Sequence, residues 1–351
     1  MSTKNVIIYS LILLSIPVFS QNILNPEDAF SMALEHNYGI KITNNTLEIA
    51  ENNTSILNSG YLPSVTGNAG ATYNLDNTEA QFSNGGSTVL NGAESSRYNA
   101  SVNLNYTVFD GMGRQYNYKR LKEEYFLSKL EARETIENVV LQLFTIYYDL
   151  AKTSENTLAL EQTLAISKDR LLRAEYQFEY GQDTKLGVLN AQVDINNDSI
   201  NLINIKQQLK NTKRDLNVVM GNQITEDFNV KTDLTFLLDL DKDVLLSKTK
   251  ANNVALLQAE KNISIVELDI KSRKSQYLPT VGLIGSYGWN KNNNNAASFA
   301  TTTSNTGLSG GINLAWDLFD GGNTITQVKN TKINLNNQKL QKEELLMNVE
   351  R

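Results

Sequence analysis

The chain has 351 residues, 40 % of them hydrophobic and 20 % charged, with a formal net charge of −6. It contains no cysteine and one histidine, which excludes a disulfide framework, a thiolate metal site, a cysteine nucleophile and a histidine-rich metal site. The excess of acidic residues argues against a nucleic-acid partner. The mean hydropathy of −0.34 argues against a bundle of transmembrane helices, but it is compatible with a transmembrane β-barrel, whose strands are apolar only at every second residue.

The first twenty residues have the layout of a secretory signal peptide. Lys4 supplies a short charged region, an apolar run follows, and Val18 and Ser20 place small residues at positions −3 and −1 before Gln21. We therefore predict that residues 1–20 are removed and that the protein leaves the cytoplasm. No later stretch is apolar over the roughly 18 residues of a spanning helix, so the exported chain is either soluble or inserted as a barrel.

An internal repeat organises the rest of the chain. The segment Gly-Tyr-Leu-Pro-Ser-Val at 60–65 returns 216 residues later as Gln-Tyr-Leu-Pro-Thr-Val at 276–281. Val-Phe-Asp-Gly at 108–111 returns 210 residues later as Leu-Phe-Asp-Gly at 318–321. Each half therefore reads as a helix, Tyr-Leu-Pro, a strand, a loop, a strand, Phe-Asp-Gly and a second helix.

The four predicted strands alternate between apolar residues and Asn, Ser, Thr or Gly over about 10 residues, which is the length of a tilted membrane strand. A soluble sheet gives the same alternation. The nearly uncharged polar face and the Tyr and Trp residues near the strand ends favour a membrane barrel. The segments Asp76–Arg97 and Asn290–Thr306 are predicted to be long mobile loops.

Long helices follow the first pair of strands. Between Gly111 and Gly181 there is no proline and no other glycine except Gly113, and apolar residues recur at three/four spacing. A continuous helix of this length would measure roughly 100 Å. Residues 180–184 read as a turn, and Gly221 ends the returning helix. That helix carries apolar residues at successive sevens, as in a coiled coil, at Val188, Ile195, Leu202, Leu209 and Leu216.

Four strands are too few for a membrane barrel, because closed barrels begin at about eight strands. Open strand edges are not tolerated in lipid. Several copies must therefore pool their strands, and three copies would supply twelve.

The residues resemble the TolC family of outer-membrane efflux proteins over essentially the whole chain after Gln21. The resemblance rests on the duplicated Tyr-Leu-Pro strand entry, the duplicated Phe-Asp-Gly strand exit, and the segment 180–192 with its Gly…Val-Leu-x-Ala-Gln pattern. It implies a mainly α-helical chain with membrane β-strands. Long coiled-coil hairpins would form an α-barrel in the periplasm, and four strands per protomer would enter a trimeric twelve-stranded β-barrel in the outer membrane.

The implied function is a passive trans-periplasmic export duct, the outer-membrane channel of a tripartite efflux pump or a type I secretion system. The implied partners are two further copies of the chain, outer-membrane lipid, a periplasmic adaptor protein and an inner-membrane transporter. The helix tip that would contact the adaptor comprises Tyr180, Gly181, Gln182, Asp183 and Thr184. The strand residues expected to face the lumen are Thr66, Asn68, Thr72, Asn99, Asn103 and Asn313.

The sequence departs from the family at its C-terminal end. The stretch after Gly322 is much shorter than its counterpart between Gly111 and Gly221. We therefore expect a first repeat at 21–221, and a linker and second repeat at 222–351 that is truncated within its helical hairpin. The chain is then expected to be a fragment, without the gate residues of that second hairpin.

No catalytic constellation is visible, so the sequence predicts no enzyme, cofactor or metal site. His36 lies at a helix boundary as a surface or capping residue, and Gly111-Met112-Gly113-Arg114 lacks the third glycine of a dinucleotide-binding fingerprint. Asp110 and Asp320 occupy equivalent positions and are predicted to be helix N-caps. The Lys/Glu mixture at 119–134 reads as a solvated helix face.

Two other classes of function stay open at this point. A periplasmic adaptor-like coiled-coil protein would share the long hairpin but lack membrane-length strands. A secreted hydrolase would need a site that these residues do not supply.

Overall fold

A computed structural model describes residues 23–83, 85–222, 228–233 and 241–351. The predicted signal peptide, residues 1–20, lies outside these ranges. The helices are α1 (Pro26–His36), α2 (Tyr38–Asn53), α3 (Gly113–Glu179), α4 (Lys185–Met220), α5 (Lys242–Asn252), α6 (Val254–Lys274) and α7 (Asn323–Glu350). The strands are β1 (Ile23–Leu24), β2 (Ser64–Gln81), β3 (Ser87–Phe109), β4 (Asn229–Val230), β5 (Thr280–Asn293) and β6 (Thr302–Ala315).

The two long helices match the sequence prediction. Helix α3 has 67 residues and α4 has 36, since neither contains a proline and glycine occurs only in their first turns. Gly221 ends α4 in the left-handed conformation at φ +70°. Among the described residues, no helix combines the length and apolar character needed to cross a membrane.

The chain divides into two compact units. The first comprises Met1–Asn45 and Ala132–Lys242. Its hydrophobic core is built from the predicted helical stripes, with Leu143, Tyr147 and Leu216 fully buried. In α4 the heptad residues are buried or half-buried throughout, so this stripe packs as the spacing predicts.

The second unit comprises Thr46–Glu131 and Asp243–Arg351. It contains an antiparallel four-stranded sheet in the order β2-β3-β5-β6. The sheet keeps the predicted repeat, because a 3-10 turn precedes each strand pair, at Ile56–Asn58 and Ser275–Tyr277. Within this unit α7 packs along α6.

The prediction of a long loop at Asp76–Arg97 is wrong. β2 continues to Gln81 and pairs with β3 from Ser87 onward, with one irregularity at Asp76/Thr78. Beyond Ser96 this two-stranded ribbon has no pairing with β5, so both of its faces are open to water and its sequence shows no apolar alternation. The second predicted loop, Asn290–Thr306, is likewise shorter, because β5 and β6 pair as far as Asn293 and Thr302.

Candidate functional site

One face of the four-stranded sheet collects the residues predicted to line a lumen. The register pairs Thr66 with Asn103 and Thr72 with Arg97, and a pair of directly opposed residues shares one face. The same register continues across β5 to β6. All six predicted residues therefore lie on one mainly polar face, which at these levels also carries Ser101, Asn105, Ser286, Asn290, Asn292, Asn305 and Ser309, together with one apolar residue, Ile284.

Side chains on this polar face hydrogen-bond to one another, both between strands and along β3. The Ser286 hydroxyl donates to the Asn103 amide oxygen at 2.7 Å, and the Asn103 amide nitrogen donates to the Ser101 hydroxyl at 3.2 Å. Polar atoms are thus held in fixed positions by neutral partners. Such a face hydrates well and offers a passing solute no concentrated charge to bind.

Arg97 is the exception on the polar face. Its Nε donates to the Asn292 amide oxygen at 3.2 Å, and between the levels of Thr66 and Thr72 it is the only charged side chain on the described part of this face. Arg97 was not among the predicted lumen residues, because residues 76–97 were predicted to be a loop. Its separation of two residues from Asn99 was the available signal, since alternate residues share a face.

The opposite face of the sheet is apolar and open. Val65, Leu104 and Tyr287 lie on it, and Leu308 on β6 is 82 % exposed. Trp289 also lies there, and its indole nitrogen donates to the Ser304 hydroxyl at 3.2 Å. A contiguous exposed apolar surface of this kind calls for lipid or a protein partner.

Among the described residues, neither outer edge of the sheet has a strand partner. β2 pairs on one side with β3, and β6 pairs on one side with β5. Each outer edge therefore presents a row of backbone N–H and C=O groups without ladder partners.

The predicted helix tip is a tight turn between α3 and α4. Gly181 has φ +70°, and the amide of Gln182 donates to the carbonyl of Gln177 at 2.8 Å, which closes the C-terminus of α3 in the Schellman manner. The Asp183 carboxylate accepts the amide of Thr184 at 2.6 Å. Tyr180 is left 75 % exposed at the turn.

Each strand exit turns into a helix over an aspartate. Asp110 Oδ2 accepts the amide and the Nε of Arg114 at 2.9 and 3.0 Å. In the second half, Asp320 Oδ2 accepts the amide and the hydroxyl of Thr324 at 2.7 and 2.5 Å.

These bonds confirm that the two aspartates cap the helices. The predicted N-cap position is wrong for Asp320, however, because the residue that directly precedes α7 is Gly322. The bonds from Thr324, followed by that from Gly322, lower the pKa of the Asp320 carboxyl.

Two asparagines that are 216 residues apart in the sequence start helices in the two halves. The Asn37 side chain accepts the amide of Ile40, and the Asn253 side chain accepts the amide of Leu256, both at 3.1 Å. His36 ends α1 with a partly exposed side chain. Among the described residues, no cluster of three or more His, Asp or Glu side chains is placed to hold a metal ion.

The family described as "Outer membrane efflux protein" matches residues 29–222 and 245–346 of the chain. The chain belongs to this family. The resemblance inferred from the sequence is thereby confirmed, and the family is one of channel proteins rather than of enzymes.

Two outer-membrane proteins are similar to the chain in sequence at low identity. The chain is 19 % identical over 320 residues to the outer membrane efflux protein BepC of Brucella suis biovar 1 (strain 1330), covering 89 % of this chain and 64 % of BepC. It is 21 % identical over 197 residues to the outer membrane protein TolC of Vibrio cholerae serotype O1, covering 56 % of this chain and 45 % of TolC. The chain therefore spans less than two thirds of either relative.

Among solved structures, the fold is similar to that of the Campylobacter jejuni CmeC outer membrane channel. The TM-score is 0.75 at 16 % identity, and the match covers 92 % of this chain and 68 % of CmeC. This similarity confirms the predicted fold class for this efflux-protein family member, with long helices and four antiparallel strands per chain.

Proposed function

We propose that the protein is an outer-membrane channel and that it conducts solutes passively across the outer membrane and periplasm, as the exit duct of a tripartite efflux pump or a type I secretion system. The observation that carries this proposal is the four-stranded sheet, with its polar face, its apolar face and its two unpaired edges. Its family membership supports the same function.

The unpaired edges support a trimer. In lipid, β2 and β6 need partners for their outer backbone groups. Three protomers joined from β6 to β2 would close a twelve-stranded barrel, with the polar face lining the lumen and the apolar face toward lipid. The residues proposed to line this lumen are Thr66, Asn68, Thr72, Asn99, Asn103 and Asn313.

The helices would form the periplasmic part of the duct. We assign the first structural repeat to 21–221 and the second to 222–351, each contributing helices to an α-barrel, after export directed by residues 1–20. The turn at Tyr180–Thr184 would contact a periplasmic adaptor, which in turn engages an inner-membrane transporter. Its support is the exposed Tyr180 on a turn whose backbone is already hydrogen-bonded.

Conduction through such a duct involves no chemical step. The lumen face offers hydroxyl and amide groups that replace water hydrogen bonds one for one, so a solute is neither trapped nor repelled. Selection of the solute then belongs to the transporter and adaptor.

Disulfide cross-linking tests the closure between protomers directly, because the chain has no cysteine of its own. Ala69→Cys on β2 would be combined in turn with Leu308→Cys, Gly310→Cys and Ile312→Cys on β6, all on the apolar face. One combination should yield covalent trimers in outer membranes, since disulfides require Cα atoms about 4.4–6.8 Å apart.

Ala69→Cys alone is the control and should yield no covalent trimer. The purified trimer should also conduct ions in planar bilayers. Monomeric protein in the soluble periplasm, with no cross-link in any combination, would contradict the proposal and favour the adaptor-like alternative. The sheet itself disfavours that alternative, because a coiled-coil adaptor was expected to lack membrane-length strands, whereas the strands here have 14 to 23 residues.

A further inference from the structure

Three lysines occupy the same positions in the two halves of the repeat. Lys119, Lys122 and Lys129 on α3 return 210 residues later as Lys329, Lys332 and Lys339 on α7. Neighbouring positions have diverged, as Phe126 and Asn336 illustrate. Charge has thus been retained where the surrounding side chains changed, which a merely solvated helix face does not require.

These six lysines are exposed and lie on one face of each helix. All six side chains are on the surface, and spacings of three and seven residues keep them within one stripe. Among the described residues, none of the six takes part in an ion pair. The nearby Glu123 and Glu124 are paired elsewhere, with Lys261 and Arg120 respectively.

Further exposed charges lie on the adjoining part of the unit. The last turn of α6 adds the exposed Lys271 and Lys274, against exposed Glu48, Glu51 and Glu267 on α2 and α6.

The lysine side chains of α3 reach back toward the strands. Side chains on a helix tilt toward its N-terminus, and both α3 and α7 begin at a strand exit. Lys122 Nζ lies 4.4 Å from the centroid of the Tyr118 ring, four residues nearer the sheet. Lys129 Nζ makes the same contact with Tyr125 at 4.4 Å. The ammonium groups are thus displaced toward the sheet by about one helical turn.

The hydrogen-bonding pattern of β5 fixes the left-to-right order of β5 and β6, and this order decides whether the lysines lie on the polar or the apolar side of the sheet. Asn294 donates its amide to the Thr301 carbonyl, so the polar-face residues Asn290 and Asn292 direct their backbone groups toward β6. Consider a strand that runs upward and is viewed from the side to which a given side chain points. For an L-residue, the backbone N–H and C=O of that residue then point to the viewer's right. Seen from the polar face, β6 therefore lies to the right of β5.

The same ordering carries over to the helices. α7 descends from β6 to the right of α6, so Val328 and Thr331, which are buried in this packing, point left. When a right-handed helix is viewed down its axis from the N-terminus, each residue is rotated about 100° clockwise from the one before it. Lys329 and Lys332 therefore point away from the polar face, on the same side as the apolar face of the sheet. By the repeat, Lys119 and Lys122 do so as well.

The depth of the stripe matches a lipid headgroup layer. Exposed Leu318, Phe319 and Ile325 extend the apolar surface to the first turn of α7, and Lys329 follows Ile325 by one turn. With about 1.5 Å rise per residue and the backward tilt, the first two lysines of each helix lie within roughly 10 Å of this boundary. The third lysine, Lys129 or Lys339, lies about 10 Å deeper than the second.

We propose that Lys119, Lys122, Lys329 and Lys332, the lysine belt, bind anionic phospholipid headgroups at the periplasmic face of the outer membrane. This proposal rests on the proposed function, which sets the apolar face in that membrane. A trimer would carry twelve such lysines in a ring around its waist. Each basic residue near an anionic surface adds to membrane attraction, and a phosphate diester on a mobile lipid can reach every position of the ring.

Native mass spectrometry of purified full-length protein tests the lysine belt. The probes are palmitoyl-oleoyl phosphatidylglycerol and phosphatidylcholine in equal amounts, which differ in charge but not in acyl chains. Wild-type trimers should retain phosphatidylglycerol preferentially. The fourfold variant Lys119→Gln, Lys122→Gln, Lys329→Gln, Lys332→Gln should lose this preference by about tenfold or more.

Two matched variants keep the result specific. Changing the same four residues to arginine should retain the preference, which separates charge from folding. Lys129→Gln with Lys339→Gln removes charge from the same stripe further from lipid and should change the preference by less than about twofold.

An unchanged preference in the glutamine variant would overturn the lysine belt, as would a wild-type trimer that retains the two lipids equally. The same spectra count subunits, so a monomeric wild type would instead contradict the proposed channel.

Discussion

Tyr147 holds a two-stranded sheet against the helices of the first unit. Its hydroxyl donates to the Leu24 carbonyl at 2.7 Å and accepts the amide of Lys231 at 3.1 Å, so it joins both chain segments that form β1 and β4. The side chain is fully buried, and this burial raises its pKa. The amide of Lys231 also donates to the Leu24 carbonyl at 3.3 Å, so the tyrosine hydroxyl adds two hydrogen bonds to a contact that the two segments already make.

Tyr147→Phe should therefore destabilise the protein by about 1–2 kcal/mol, because it removes both hydrogen bonds of the hydroxyl and leaves the Leu24 carbonyl and the Lys231 amide only their bond to each other. Thermal unfolding of the detergent-solubilised protein, followed by circular dichroism, measures the change. Tyr176→Phe on the exposed surface of α3 is the control and should shift the midpoint little. Equal shifts in the two variants would show that the hydroxyl of Tyr147 does not hold β1 and β4.

Asp320 makes the start of α7 sensitive to acid. Its pKa is lowered from 3.8 by hydrogen bonds from Thr324 and Gly322, so the folded state binds the proton less readily than the unfolded state. The stabilisation is present above the unfolded value and is lost as the pH falls through the lower folded value.

Asp320→Asn should be less stable than wild type at neutral pH and should show a flatter loss of stability between about pH 5 and pH 2.5. Melting curves recorded across this range provide the measurement, with Asp317→Asn, which changes a nearby carboxylate, as the comparison. If wild type and Asp320→Asn lose stability in parallel on acidification, Asp320 does not act as the cap of α7.

At the scale of elements, two glycines with the same backbone angle end the long helices. Gly181 and Gly221 both have φ +70°. A Cβ on Gly181 would meet open space, whereas a Cβ on Gly221 would fall against the carbonyl of His36 at the junction of α1 and α2. The two positions therefore share the conformational requirement and differ in packing.

Gly181→Ala should cost about 1–2 kcal/mol, which is the penalty of the left-handed conformation for an L-residue. Gly221→Ala should cost more, because the junction of α1 and α2 must also move. Chemical denaturation of the two variants side by side provides the comparison. If Gly221→Ala lowers the free energy of unfolding no more than Gly181→Ala does, the backbone at His36 moves away from the added Cβ without measurable loss of stability.

The sequence predicted the elements whose periodicity is long and strict. The stripe of α3, the heptads of α4 and the turn at 180–184 followed from spacing alone, because one buried face imposes a regular pattern. The ends of β2 and β3 did not follow, since a ribbon with two wet faces has no such pattern. Lys119 and Lys122 were likewise interpreted as part of a solvated helix face, although their recurrence 210 residues later was present in the sequence.

At the scale of the whole molecule, a trimer would multiply the charge of Arg97. Three copies would place three guanidinium groups at one level of the lumen, against neutral amides and hydroxyls nearby. A ring of like charges in a pore lowers the barrier for counter-ions. Asp76 lies on the same face of β2, four residues beyond Thr72 and about 13 Å away.

Arg97→Gln should therefore raise the permeability of potassium relative to chloride by about twofold or more. The reversal potential of trimers in a planar bilayer under a salt gradient measures this ratio. Glu94→Gln alters a charge three residues away on the opposite face of β3 and should leave the ratio unchanged. A shift of equal size in both variants would place Arg97 outside the conducting path.

The unpaired edges of β2 and β6 have a consequence for thermodynamics. A protomer whose membrane strands find partners only in other protomers has no complete folded state of its own, so its stability depends on mass action. For a trimer, the trimer concentration varies with the third power of the free protomer concentration, so dilution lowers the folded fraction. A modest decrease in synthesis would therefore reduce the number of working channels far more than in proportion.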